Sequence, residues 1–192
     1  MPAPKTTPAQ AQDVFRPVFL RGLGALVYSL ISIFWINADQ TVLSYATGAL
    51  LVVTGVFMWQ YVTVPSAPEK SRGAYALGAG LMLLAGIASL FATTPMWVAY
   101  LAAFAFFVTG VVELYVFVKM RSQFPPFRNQ LITAAVSMIL AIALLFGTSL
   151  DAHGMFGLIG GGTIIFAVFE LIAAFGHRHD AKAAASTEIE NN

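Results

Sequence analysis

Residues 71–121, SRGAYALGAGLMLLAGIASLFATTPMWVAYLAAFAFFVTGVVELYVFVKMR, decide the fold. Arg72 opens an apolar run that reaches Phe91, the segment Thr93-Thr94-Pro95 breaks it, and a second apolar run returns to Lys119 and Arg121. Both runs are continuously apolar rather than alternating. A helix satisfies its own backbone hydrogen bonds in lipid, so the stretch predicts two membrane-spanning helices joined as a hairpin.

The same pattern lies on either side. Arg16, Arg72 and Arg128 open three units at equal intervals, and Phe34, Phe91 and Phe146 stand at the far end of each first span. Val53-Thr54-Gly55-Val56 recurs as Val108-Thr109-Gly110-Val111 and decays to Phe166-Ala167-Val168 in the third unit. Glu113 and Glu170 hold one register position, taken by Met58 in the first unit. Self-similarity at a fixed period is the mark of a tandem repeat. The expected fold is all-α: a polytopic membrane protein of six helices in three tandem hairpins, at about residues 16–65, 72–121 and 128–178. Polar segments 1–15 and 179–192 flank this domain and are expected to be disordered tails.

Composition agrees with a bilayer and excludes a soluble fold. Hydrophobic residues make up 58% of the chain and charged residues only 10%, with a mean hydropathy of +0.78. Ordinary globular domains carry about 25% charged residues. Each apolar run of about 17 to 23 residues matches a hydrocarbon core about 30 Å thick. Prolines fall at or outside the starts of these spans, where a missing N–H costs little. The absence of cysteine excludes disulfide and thiol chemistry.

Charge sets the expected orientation. Lys5, Arg16 and Arg21 precede or begin span one; Lys70 and Arg72 separate spans two and three; Lys119, Arg121 and Arg128 separate four and five; Arg178 and Lys182 follow six. The opposite turns carry Asp39, Asp151 and His153 and no Lys or Arg. The positive-inside rule therefore puts both termini in the cytoplasm of a cell-membrane protein. The first run is long, lacks a small-residue cleavage site and fits the repeat, so it is expected to stay as a span.

Few residues can carry chemistry. Glu113 and Glu170 lie just inside the cytoplasmic boundary, where an ionised carboxylate needs a partner or a proton. Arg16, Arg72 and Arg128 begin the odd spans on the same side, and a guanidinium can bridge a carboxylate with two hydrogen bonds. Three readings stay open for the acids: an Arg to Glu clamp between hairpins, a proton or ion site formed by the two acids, and protonated acids facing lipid. The clamp is preferred, because the acids lie beside abundant cations and away from the midplane. His177 and His179 point to different faces of a helix without other ligands near them, so no metal site is expected. Gly157 and Gly161 form a GxxxG pair that serves packing within the molecule or joins two copies as a homo-oligomer.

The hairpin, with Arg at its start, a Gly-rich first span, a short outer turn and a return ending in an acid and a basic boundary, resembles the HdeD family of small bacterial membrane proteins. Val168-Phe169-Glu170-Leu171-Ile172-Ala173-Ala174-Phe175-Gly176-His177-Arg178 carries the likeness best, followed by Val108-Thr109-Gly110-Val111-Val112-Glu113-Leu114. The resemblance implies a six-span inner-membrane protein linked to acid resistance or envelope stress, and it brings no catalytic residues. Met58, at the acid position of the first unit, departs from the pattern.

Enzymatic motifs are absent: there is no phosphate loop, HExxH or nucleophile elbow, and Gly160-Gly161-Gly162 lies inside an apolar span. The chain is therefore expected to be no enzyme, to take no cofactor and to have the lipid bilayer as its partner. Its basic residues are too dispersed for nucleic acid. The alternative function is a small proton-linked transporter or channel that uses Glu113 and Glu170. Reporter fusions at Asp39, Thr94 and Asp151 are expected to report periplasm, and cytoplasmic signals at those sites would reverse the orientation.

Overall fold

The computed structural model describes residues 7–190. Its helices are α1 (Pro8–Phe34), α2 (Gln40–Trp59), α3 (Glu69–Ser89), α4 (Pro95–Met120), α5 (Gln130–Phe146) and α6 (Ala152–Glu190). Short 3₁₀ turns follow α2 at Gln60–Thr63 and precede α5 at Pro125–Asn129. Six helical segments are long and apolar enough to cross a bilayer, so the chain is a multi-pass, all-helical membrane protein. The ends at which Lys and Arg gather are called the basic end below.

The segments expected to be tails behave differently. Residues 1–6 and 191–192 lie outside the described residues, but the helix already begins at Pro8. Thr7 caps it: the Gln10 amide donates to Thr7 Oγ1 at 3.3 Å and the Thr7 amide to Gln10 Oε1 at 3.1 Å. Ala11 and Val14 are buried, and Ser66 Oγ donates to Asp13 Oδ2 at 2.7 Å, tying this first stretch to the α2–α3 linker. Capping and tertiary burial override a polar composition here. Pro17, expected at a span start, consequently lies inside α1. At the other end α6 stays helical through Glu190, past the expected boundary at residue 179.

The three returning helices start alike. The Val42 amide donates to Asp39 Oδ1 at 2.8 Å, the Trp97 amide to Thr94 Oγ1 at 3.4 Å and the Gly154 amide to Asp151 Oδ1 at 2.8 Å. Each cap satisfies an otherwise orphaned helical N–H, so Asp39 and Asp151 have a folding role in the turns. Met58, Glu113 and Glu170 follow these caps at one common distance along α2, α4 and α6. Phe34, Phe91 and Phe146 are all strongly exposed at the ends of the odd-numbered helices, as a repeat in register requires.

Helix packing closes the three hairpins into a ring. The most extensive contacts join α2 to α3, α4 to α5 and α6 to α1, exceeding those within each hairpin. The even-numbered helices also touch one another, α2 with α4 and α6 and α4 with α6, so they form the inner triangle and the odd-numbered helices fill its notches. Each returning helix thus packs hardest on the opening helix of the next repeat, and the third packs on the first.

Glycine permits those close seams. A Cβ added at Gly86 would lie 2.9 Å from the Val52 amide nitrogen and 3.0 Å from the Gly48 carbonyl oxygen, and one at Gly110 would lie 3.0 Å from the Ala134 carbonyl oxygen. Lipid supplies no hydrophobic drive between helices, so such backbone approach is what holds them. Polar pairs add to the α1–α6 seam: the Ser29 and Thr163 hydroxyls lie 2.9 Å apart, and Ser32 Oγ donates to the Phe156 carbonyl at 2.8 Å. Gly157 and Gly161 take no part, since both face outward and an added Cβ would meet nothing within 4 Å. The expectation that they pack within the molecule is corrected; that place on α6 belongs to Gly160 and Gly162.

Gly86→Ala and Gly110→Ala are expected to cost about 1–3 kcal/mol, because backbone atoms would have to move apart. Gly161→Ala should leave the thermal unfolding of the monomer in detergent unchanged. Equal effects at the three sites would contradict the seam assignment.

Candidate functional site

Arginine inside an apolar helix has few ways to survive. Arg21 lies in the α1 segment that faces the bundle centre and is completely buried, and its guanidinium reaches across to two other helices. Nη2 donates to Glu113 Oε1 of α4 and, at 2.7 Å, to Glu170 Oε1 of α6. Both acids are as deeply buried as the arginine. One nitrogen therefore joins three helices, of which α1 and α4 are not ring neighbours.

The repeat explains the convergence. Met58, Glu113 and Glu170 project from equivalent positions of the inner helices, and each meets the opening helix of the next repeat. Met58 fills the space beside Gly78 of α3, where an added Cβ would lie 2.6 Å from its methyl carbon. Glu113 faces the Thr133 hydroxyl of α5. Glu170 meets α1, where Gly22 lets its stem approach so closely that an added Cβ would lie 3.0 Å from Glu170 Cβ. Three copies of one helix contact thus diverged: Met58 lies beside Gly78, Glu113 beside Thr133, and Glu170 beside both Gly22 and Arg21.

Aromatic rings enclose the ions. The Phe166 ring centroid lies 5.0 Å from Arg21 Cζ and the Tyr61 centroid 5.9 Å, both within cation–π range. Tyr61 stacks on Tyr75 with centroids 4.5 Å apart, and Phe127 and Phe124 continue this layer toward the basic end. Gln130 Nε2 donates to the Tyr61 hydroxyl at 3.5 Å. On the far side, buried residues including Tyr28, Leu50, Met82, Phe106, Leu140, Phe156 and Ile159 form an apolar core.

The expected cations are not the ones used. Arg16 is exposed, and Arg72 Nη2 donates to the carbonyls of Val64 and Pro65 at 3.2 and 3.1 Å, which stitches the α2–α3 linker. Arg128 is exposed and lines a cleft between α5 and α6. The clamp between arginine and the two acids is present, but Arg21 closes it. Arg16 and Arg128 are exposed and Arg72 is held by backbone carbonyls, and a charge near the interface costs less than one buried within the membrane. The signal for Arg21 was available: it follows the apolar segment Val18-Phe19-Leu20 inside the first span, and an intramembrane charge demands a counter-charge. His177 is buried and lines the same cleft.

The triad is not fully satisfied by protein. Arg21 Nε and Nη1, Glu113 Oε2, Glu170 Oε2 and the Tyr75 hydroxyl have no hydrogen-bond partner among the described residues. Among the described residues no group of three or more His, Cys, Asp or Glu is arranged to hold a metal. Chemically the site offers one fixed cation, two carboxyls and neighbouring hydroxyls, a set suited to holding helices together or to holding a proton.

A family model for a short repeat of unknown function, DUF308, matches residues 20–91 and again residues 90–146. The chain belongs to the DUF308 family. The paired matches agree with the internal repetition, and they meet at Phe91 in the turn between α3 and α4 rather than at a basic linker. The DUF308 matches include Arg21 and Glu113, while Glu170 lies beyond them on the third returning helix. No curated protein and no solved structure matches the chain.

Removing Arg21 leaves two carboxyls buried without their cation. Arg21→Ala is therefore expected to destabilise the fold by about 3–5 kcal/mol, whereas Arg21→Met combined with Glu113→Gln and Glu170→Gln should cost much less. Arg16→Ala should stay within about 0.5 kcal/mol. Thermal unfolding of the purified variants in one detergent checks the order, and an Arg16 effect matching that of Arg21 would refute it.

Proposed function

We propose that this DUF308 protein is a non-enzymatic protein of the bacterial inner membrane, similar to the HdeD family and serving acid or envelope stress. Both termini face the cytoplasm in this reading, so the basic end lies on the cytoplasmic side. The observation that carries it is the Arg21–Glu113–Glu170 triad, which gathers the buried charged side chains of three helices into one ion-paired cluster. A transport route needs its charged site open in turn to both faces near the midplane. Here Phe166 and a buried layer that holds hydroxyls but no charged side chain stand between the acids and the outer face.

The bilayer is the first partner. Gly157 and Gly161 present a bare strip of α6 to it, and a second copy of the chain docked there would form a homo-oligomer by close helix contact. No cofactor, metal or small-molecule substrate enters the proposal.

Proteoliposomes containing the wild-type chain are expected to show proton flux no greater than protein-free vesicles. Cells lacking the protein should lose viability under acid or envelope stress, and a stably expressed wild-type copy should restore it. Pronounced flux through the wild type, abolished by Glu113→Gln without loss of fold, would establish the transporter instead.

A further inference from the structure

The charge count of the triad does not close. One guanidinium faces two carboxyls, and each acid has a second oxygen without a hydrogen-bond partner among the described residues. A metal cation added at those oxygens would sit beside the guanidinium that already bridges the pair and be repelled by it. A proton meets the need without adding a like charge at a distance, and it turns an orphaned carboxylate oxygen into a donor.

A route to the basic end is also visible. A cleft of about 380 Å³ between α5 and α6 is lined by Arg128, Asn129 and His177 toward that end and by Thr133 at its inner wall. Thr133 is buried, lines the cleft and also faces Glu113, so its side chain stands between the cleft and that acid. Its hydroxyl donates to Gln130, at 3.2 Å to the carbonyl and 3.3 Å to Oε1, which keeps it in a polar chain that continues to Tyr61. Outward of the triad, Phe166 lies against the guanidinium and Ala25 and Ala167 pack beside it.

We propose that the Arg21–Glu113–Glu170 triad is a one-proton binding site that exchanges with water at the basic end through the α5–α6 cleft and Thr133. The proton enters and leaves by the same side. It is shared by the two carboxyls, while the arginine holds them together in either state. The groups that face this proton are Arg21 from α1, Tyr61 from the turn after α2, Tyr75 from α3, Glu113 from α4 and Glu170 from α6; α5 contributes Gln130 and Thr133, which do not titrate. His177 and Arg128 flank the entrance. The proposal deepens the non-transport reading above and rests on the outward closure of the triad.

Infrared spectroscopy of the full chain in lipid nanodiscs tests it, because a protonated carboxyl has a carbonyl stretch that a carboxylate lacks. The wild type should show such a band with the amplitude of a single buried carboxyl. It should shift in D₂O, vanish as the pH is raised with the helices intact, and be lost in the Arg21→Met, Glu113→Gln, Glu170→Gln triple variant, which leaves no buried charge unpaired. Thr133→Val should slow the D₂O shift several-fold. No band at any pH at which the chain stays folded would overturn the proton site while leaving the clamp and the absence of transport untouched. A band whose exchange ignores Thr133→Val would overturn the route. Transmembrane flux in the proteoliposome assay would sink the one-sided closure itself, whatever the infrared result.

Discussion

A guanidinium buried between two carboxyls is the constraint around which the bundle is arranged. Removing such groups from water costs several kcal/mol per ion, and only close opposite charge with good hydrogen bonds offsets it. Arg21 can meet Glu113 and Glu170 together only if α1, α4 and α6 keep their places to within a hydrogen bond's tolerance. The ring of helix seams supplies that rigidity through glycine, and the triad in turn selects one arrangement among the many that apolar helices in lipid would accept. Specificity is the better description of its contribution than strength.

Repetition shows how the centre came to be asymmetric. Equivalent positions on three inner helices hold Met58, Glu113 and Glu170, so a threefold layer accommodates one apolar and two acidic side chains. Each neighbour on the following helix suits its partner, whether by glycine vacating space for methionine or by arginine answering glutamate. Duplicated scaffolds diverge most usefully where their copies meet, since a change in one copy is there read by the other two.

Much of this was legible in the residues themselves. Continuous apolar runs, prolines near span starts and the one-sided distribution of Lys and Arg give six helices, while Glu113 and Glu170 stand out as intramembrane acids in equivalent places. Arg21 was missed because it falls near other basic residues and was grouped with the interface, although its neighbours on both sides are apolar. Which glycines face inward could not be read either. Gly157, Gly160, Gly161 and Gly162 differ by a rotation about one helix axis, and only the neighbours of α6 settle that rotation. The helical start at Pro8 depends on a capping box and on burial against a distant linker, so composition alone pointed the wrong way.

The seam between α6 and α1 bears on how the chain is made. A ribosome delivers α1 to the membrane before α2 to α6, with an arginine inside its apolar run, a residue whose cost on insertion scales is about 2.5–3.5 kcal/mol at a helix centre and less toward the interface. Its first acid arrives only with α4, and its most extensive helical neighbour only with α6. Until α4 and α6 are inserted, α1 must hold an unanswered charge at the edge of the bilayer by reaching back toward the headgroups. Assembly of the bundle therefore waits for α6 and is completed when that helix closes on α1.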